Sequence, residues 1–221
     1  MELPKNEVIS DIIEELMIER ANGNLYDFVE RKPNYDIYNW MAEIARETDL
    51  EAAEGETKMV FFSPKIEDWV IKIPRYSKGI DYCKIEVENY KKACEAHLEE
   101  FFAPTYFVGC FFGVPVYIQK QVYCDDGEVE SSFYDWMSQS MEDERDDYNT
   151  DDDFCDAVCD ATNDMCTADR LWAVFQGYAD SDKIDALFCF CNREDINDLH
   201  SGNFGYDGNT PVSVDFSGYK I

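Results

Sequence analysis

Cations are scarce in this chain. Lysine and arginine number 19 among 221 residues, against 48 aspartates and glutamates, for a formal net charge of -29. Sequence-independent nucleic-acid binding needs cationic side chains on phosphates, so the composition argues against that class. An anionic membrane surface is disfavoured for the same reason. No apolar run approaches ~20 residues, the length that crosses a bilayer, and no membrane span is expected. Met1-Glu2-Leu3-Pro4-Lys5 has neither a basic n-region nor an apolar h-region, so no secretory leader is expected. The nine cysteines lack the paired short spacings of a zinc site, Cys189-Phe190-Cys191 and Cys155-x-x-x-Cys159 included. They read as free thiols in a reducing cytoplasm. Internal repeats are absent.

What is present suits a globular chain. Hydrophobic residues make up 45% and aromatics 15%, enough for a sizeable core in one domain or one fold with two lobes. The acidic surplus permits a basic protein partner, or a surface that imitates nucleic acid.

Residues 6–21 read as a helix with Val8, Ile12, Ile13, Leu16 and Met17 near one face, ended by Asn22-Gly23-Asn24. Further helices are expected over 25–30 and 35–46. Near residue 50 the period changes. Residues 58–62 and 69–74 read as strands, the second stopped by Pro74. Alternation there puts Val70, Lys72 and Pro74 on one face and Trp69, Ile71 and Ile73 on the other. A lysine between branched apolar residues either snorkels from a strand edge or reaches an anion. Residues 79–97 read as a helix on which Glu86, Tyr90, Ala93 and His97 share a stripe, while Glu88 lies on a more charged side. Strands over 105–112 and 114–122 follow, joined at Gly113. Three or four antiparallel strands with one inserted helix make a small α+β lobe.

Residues 128–180 are acidic and helix-compatible. Phe133, Trp136 and Met137 suggest one short helix, and the block from Glu142 to Asp153 reads as a solvated loop or frayed helix. Asp147, Asn149 and Asp151 imitate the start of a calcium loop. Asp152 and Val158, however, stand where glycine and a bidentate glutamate are required, which excludes it. Leu171, Trp172, Phe175 and Tyr178 mark a helix, and Ile184, Leu187 and Phe188 another or its continuation.

The richest stretch is 195–219, DINDLHSGNFGYDGNTPVSVDFSGY. Asp198 and Asn203, a hairpin turned at Asp207-Gly208, and Asp215 set an acid, an amide and an acid around one tight turn. Hard oxygen donors of this kind suit a divalent metal and its phosphates.

The order strand lysine, helix glutamate, strand hairpin, helical segment, Asp-x4-Asn, hairpin, Asp-Phe-Ser resembles the protein-kinase-like fold over about residues 48–219. Val70-Ile71-Lys72 resembles the V-A-I-K strand, which implies that Lys72 meets the α- and β-phosphates of ATP. Glu86, with Glu88 as the alternative, resembles its helix partner. Asp198 to Asn203 is similar to the catalytic loop, implying Asp198 as base and Asn203 as a Mg²⁺ ligand. Asp215-Phe216-Ser217-Gly218 is similar to D-F-G, implying Asp215 as the other metal ligand. Gly55, Gln119, Gln121 and Tyr123 fall at implied nucleotide-contact positions. The implied fold is α+β and two-lobed, with a helical extension (1–47), a small antiparallel-sheet N-lobe (48–123) and a reduced helical C-lobe (124–221). The D-L-H-x-G-N form is commoner in small-molecule and atypical kinases of bacteria and phage.

The departures shape the expected function. H-R-D is here Ile196-Asn197-Asp198, and His200 stands at the catalytic-loop lysine. The glycine-rich loop is reduced to Gly55, between Glu54 and Glu56. The sequence ends at Ile221, so the reading expects no activation loop, no A-P-E segment and no helical platform beyond it. Three functions remain open. One is a minimal ATP- and Mg²⁺-dependent kinase, of serine/threonine type, acting on a protein or small-molecule hydroxyl. The second is a pseudokinase used as a binding module. The third is an acidic interaction protein that imitates nucleic acid.

Overall fold

The computed structural model describes residues 3–17, 49–55, 57–111, 114–124 and 126–218. The helices expected over 25–30 and 35–46, the end of the first helix, and the joint at Gly113 lie outside the described residues.

Backbone contacts divide the chain into two compact units. One comprises Met1–Lys92 and Ala103–Gln121, the other Ala93–Phe102 and Val122–Ile221. The architecture is α+β, with helices beside an antiparallel sheet.

The first unit holds α1 (Asn6–Met17), β1 (Glu51–Glu54), β2 (Lys58–Phe62), β3 (Trp69–Pro74), most of α2 (Tyr76–Glu95), β4 (Thr105–Phe111) and β5 (Val114–Lys120). The five strands form one antiparallel sheet in the order β1-β2-β3-β5-β4. Three or four strands were expected, and β1 is the one that the expectation lacked. Glu51-Ala52-Ala53-Glu54 has weak strand propensity, so its local sequence does not announce β1. Its pairing with residues 59–62 of β2 decides its state.

The register sorts the two sheet faces. Met59, Phe61, Ile71, Ile73, Val116 and Ile118 form a core with Ile9, Ile12, Ile13 and Leu16 of α1. The heptad-like spacing of those four residues aims one helix face at apolar sheet. Val60 pairs with Lys72 and Lys58 with Pro74, so Lys58 and Lys72 share the opposite face. Ser63 caps the short 3-10 turn Pro64–Ile66 between β2 and β3, its hydroxyl accepting from Lys65 N.

α2 begins at Tyr76, three residues before the expected start, and ends at Glu95. His97 therefore lies beyond the helix, with φ of 58°, and is exposed, which removes it from the stripe of Glu86, Tyr90 and Ala93.

The second unit holds α3 (Asp126–Ser140), α4 (Asp151–Asn163), α5 (Thr167–Phe175), α6 (Ser181–Arg193) and a two-stranded sheet of β6 (Phe204–Asp207) and β7 (Thr210–Ser213). The acidic block resolves into an exposed 3-10 helix, Glu142–Asp147, followed by α4. Thr150 caps α4 by accepting from Asp153 N, and Asp151, Asp152 and Asp153 crowd its first turn, where the helix dipole favours negative charge. α5 and α6 are separate helices, the second capped by Asp180. The β6–β7 loop is Gly208-Asn209, one residue later than expected, with Gly208 at φ of 63°. Phe102, Phe190 and Phe216 stack edge-on or tilted at 5.0–5.6 Å, and Phe101, Phe175, Phe204 and Phe133 continue the aromatic core. Among the described residues no helix is long and apolar enough to cross a membrane.

Candidate functional site

The candidate residues form two groups, one in each unit. In the first, Lys72 projects from β3 and Glu86 from α2. Lys72 Nζ lies 3.4 Å from Glu86 Oε2 and 3.5 Å from Oε1, with both residues buried. Glu88 is exposed, as its position on the helix implies. The ammonium does not snorkel to water: Lys72 is 4% exposed and Glu86 0%.

A second lysine, not singled out in the sequence, joins them. Lys58 Nζ, from the start of β2, lies 2.5 Å from Glu86 Oε1 and is 5% exposed. One carboxylate thus holds two ammonium groups from adjacent strands. Buried charges persist when they are paired, and the shared carboxylate serves both cations. The available signal was the alternation of Lys58 with Val60 on the face that carries Lys72.

The remaining candidates of this unit are dispersed. Gly55 sits in the β1–β2 turn, where its N–H donates to Lys58 O at 2.9 Å. Gln119 is buried, and its Nε2 donates to Thr105 Oγ1 at 2.8 Å, while that hydroxyl donates to Ala103 O. The Gln121 side chain is exposed, and its backbone N–H donates to Asp68 O.

The second unit gathers Asp198, Asn203 and Asp215. Ile196 and Leu199 are buried and anchor the loop that carries Asp198. Asn203 Nδ2 donates to the backbone carbonyl of Asp198 at 2.7 Å, which orients the amide and leaves Oδ1 as its oxygen donor. Asn203 O accepts from Val214 N at 2.9 Å, so the strand leading to Asp215 is tied to the same loop. Asp215 Oδ1 accepts from Ser217 Oγ at 3.0 Å. Burial pushes the Asp198 carboxyl above its usual range and the Asp215 charge adds to this, while His200, Asn203 and Arg170 oppose it. His200 Nδ1 accepts from Gly202 N, which turns Nε2 toward Asp198 Oδ1 at 3.9 Å. Tyr123 belongs to this unit, bridged by its backbone to Tyr206, with its ring 66% exposed.

Arg170 of α5 is a further supporting residue that the sequence did not reveal. Its guanidinium donates to the carbonyls of Leu199, Met165 and Asn163 at 3.1–3.2 Å and lies over the Phe133 ring. It clasps the Asp198 loop through Leu199, a partner 29 residues away in sequence.

Among the described residues no three His, Cys, Asp or Glu side chains cluster to hold a metal ion. Magnesium does not require such a cage. It takes one or two protein oxygens together with phosphates and waters, and Asn203 with Asp215 is an all-oxygen pair of that kind.

No protein-family model matches the chain, and no curated protein matches it in sequence. Among solved structures it is similar to the GDP and kanamycin complex of APH(2")-IIia, at 13% identity and a TM-score of 0.36, over 82% of this chain and 72% of that one.

Proposed function

We propose that the chain is a minimal ATP- and Mg²⁺-dependent phosphotransferase acting on a protein or small-molecule hydroxyl. The observation that carries this reading is the buried Lys72–Glu86 ion pair between β3 and α2. A strand lysine held by a helix glutamate is the arrangement a kinase-like site uses to neutralise nucleotide phosphates.

The remaining roles follow from chemistry. Asp198 accepts the proton of the attacking hydroxyl as the new O–P bond forms and the bond to the leaving nucleoside diphosphate breaks. Burial raises its affinity for a proton, the direction a proton acceptor requires. Lys72 neutralises phosphate oxygens, and Glu86 keeps its ammonium in place. Asn203 and Asp215 would hold Mg²⁺, which when bound neutralises charge on the phosphates. His200 stands where a kinase-like catalytic loop carries a lysine, with its Nε2 3.9 Å from Asp198 Oδ1.

The test is transfer from γ-labelled ATP into host extract, with Asp198→Asn and Asp215→Ala as controls. Label transfer by wild type, lost in both variants, is expected. ATP binding without any transfer would leave the second reading, a pseudokinase binding module. That reading is favoured by the β1–β2 turn, which commits its glycine amide to Lys58 O instead of offering it to phosphate.

A further inference from the structure

Lys58 has no role in the chemistry above, yet it makes the closer of the two lysine contacts with Glu86. Its surroundings suggest why. The turn preceding it is tied down on several sides. Gly55 N donates to Lys58 O at 2.9 Å, Arg75 N donates to Thr57 O at 2.8 Å, and Arg75 Nη1 donates to Gly55 O at 2.9 Å. Gly79 of α2 approaches so closely that a Cβ there would lie 2.1 Å from Thr57 O. A glycine-rich loop folds over phosphates and meets them with free backbone amides. This turn is short, pinned to β3 and α2, and has its Gly55 amide in use.

We propose that Lys58 is a second nucleotide-phosphate-binding lysine, supplying from the foot of the β1–β2 turn the positive charge that a glycine-rich loop supplies through its amides. The ligand chemistry is a nucleoside polyphosphate, and the assignment rests on the phosphotransferase reading. The register puts Lys58 and Lys72 on the same sheet face, two residues apart across β2 and β3. Both ammonium groups converge on Glu86, so both are oriented before any ligand arrives. A polyphosphate carries several charged oxygens and engages two ammonium groups better than one. In a chain of net charge -29, such local cations matter most, because the surrounding field repels an anionic ligand.

Two measurements test this. Wild-type protein is treated with an acyl-phosphate derivative of ATP. A lysine amine beside the phosphates attacks the acyl carbon, an amide N–C bond forms, ATP departs with the electron pair of the broken C–O bond, and the amine proton passes to solvent. Peptide mapping is expected to find Lys58 and Lys72 both acylated, and both protected by excess ATP. Acylation and protection of Lys72 alone would overturn the assignment. Titration with Mg²⁺–ATP and with adenosine then compares wild type, Lys58→Met and Lys58→Arg, each checked for folding by circular dichroism. Lys58→Met is expected to bind ATP about tenfold more weakly or worse while binding adenosine as wild type does, with Lys58→Arg restoring much of the loss. A folded Lys58→Met that binds ATP as tightly as wild type overturns the role of Lys58 and leaves the phosphotransferase reading standing. A wild type that neither binds ATP nor reacts with the acyl phosphate overturns both. The labelling uses wild type alone, so it decides even if Lys58→Met does not fold.

Discussion

Asn203 Nδ2 donates to the backbone carbonyl of Asp198 at 2.7 Å, closing the two ends of the Asp198–Asn203 loop on each other. The amide therefore does two things, holding the loop with its nitrogen and presenting its oxygen. Asn203→Asp replaces the donor with a carboxylate oxygen facing a carbonyl. Loss of this partly buried bond is expected to cost about 1–3 kcal/mol in urea unfolding, with the proposed phosphoryl transfer falling further than stability alone explains. An Asn203→Asp variant as stable as wild type would show that the bond does not hold the loop.

Arg170 fastens that loop from outside through Leu199 O. Arg170→Met keeps much of the stem packing but removes the donors to three carbonyls. The expected result is a lower melting temperature and faster amide hydrogen exchange around residues 196–203, with Arg170→Lys intermediate because a lysine lacks the planar fork. Unchanged exchange in that segment would count against the clasp.

Glu86 is the carboxylate shared by two buried ammonium groups. Glu86→Ala removes it from both, and breaking a buried ion pair in this one-sided way costs about 3–5 kcal/mol. Adding Lys58→Met to Glu86→Ala should recover part of that loss, because it removes one of the two cations. Chemical denaturation of the single and double variants measures the coupling, and simple additivity would contradict the shared arrangement.

Gly79 lies in the first turns of α2, where alanine normally stabilises by about 1 kcal/mol. Here the added Cβ would sit 2.1 Å from Thr57 O and 3.3 Å from Pro74 Cβ. Backbone must move to admit it, so Gly79→Ala is expected to destabilise, and a raised melting temperature would refute the close approach.

Burial pushes the Cys191 thiol from its ordinary value of 9.0 up to about 12. Between those two values the unfolded chain releases a proton that the folded chain keeps, so this contribution is complete below pH 9 and is lost as pH rises toward 12. Cys191→Ala should flatten that alkaline slope while losing some packing. Thiol labelling at neutral pH should modify the exposed Cys110, Cys124, Cys155, Cys159, Cys166 and Cys189 rapidly, and buried Cys83 and Cys191 only on unfolding.

Local periodicity carried much of the architecture. Alternation in residues 69–74 separated Lys72 from Ile71 and Ile73, and helical periodicity turned Glu86 inward and Glu88 outward. The order Asp198, Asn203, hairpin, Asp215 could be read directly because those residues lie within one short segment. β1 could not, since its four residues become a strand only by pairing with β2. The acidic block read as a solvated loop or a frayed helix because its charge was counted without its cap, and Thr150 and the helix dipole make its last aspartates favourable in α4.

By itself the sequence determined the alternation of residues 69–74, the amphipathic α1 and the local acid-amide-acid segment, and it favoured Glu86 over Glu88 as the inward glutamate without deciding between them. All of these are set by periods of two or 3.6 residues, or by near neighbours in the chain. Tertiary structure alone decided that Lys58 joins Lys72 on Glu86 and that Arg170 holds the Asp198 loop. Those partners are 28 and 29 residues apart. Strand register and helix packing bring them together: alternation could place Lys58 on a face with Val60, but only the register set that face beside Lys72, and nothing local pointed to Arg170.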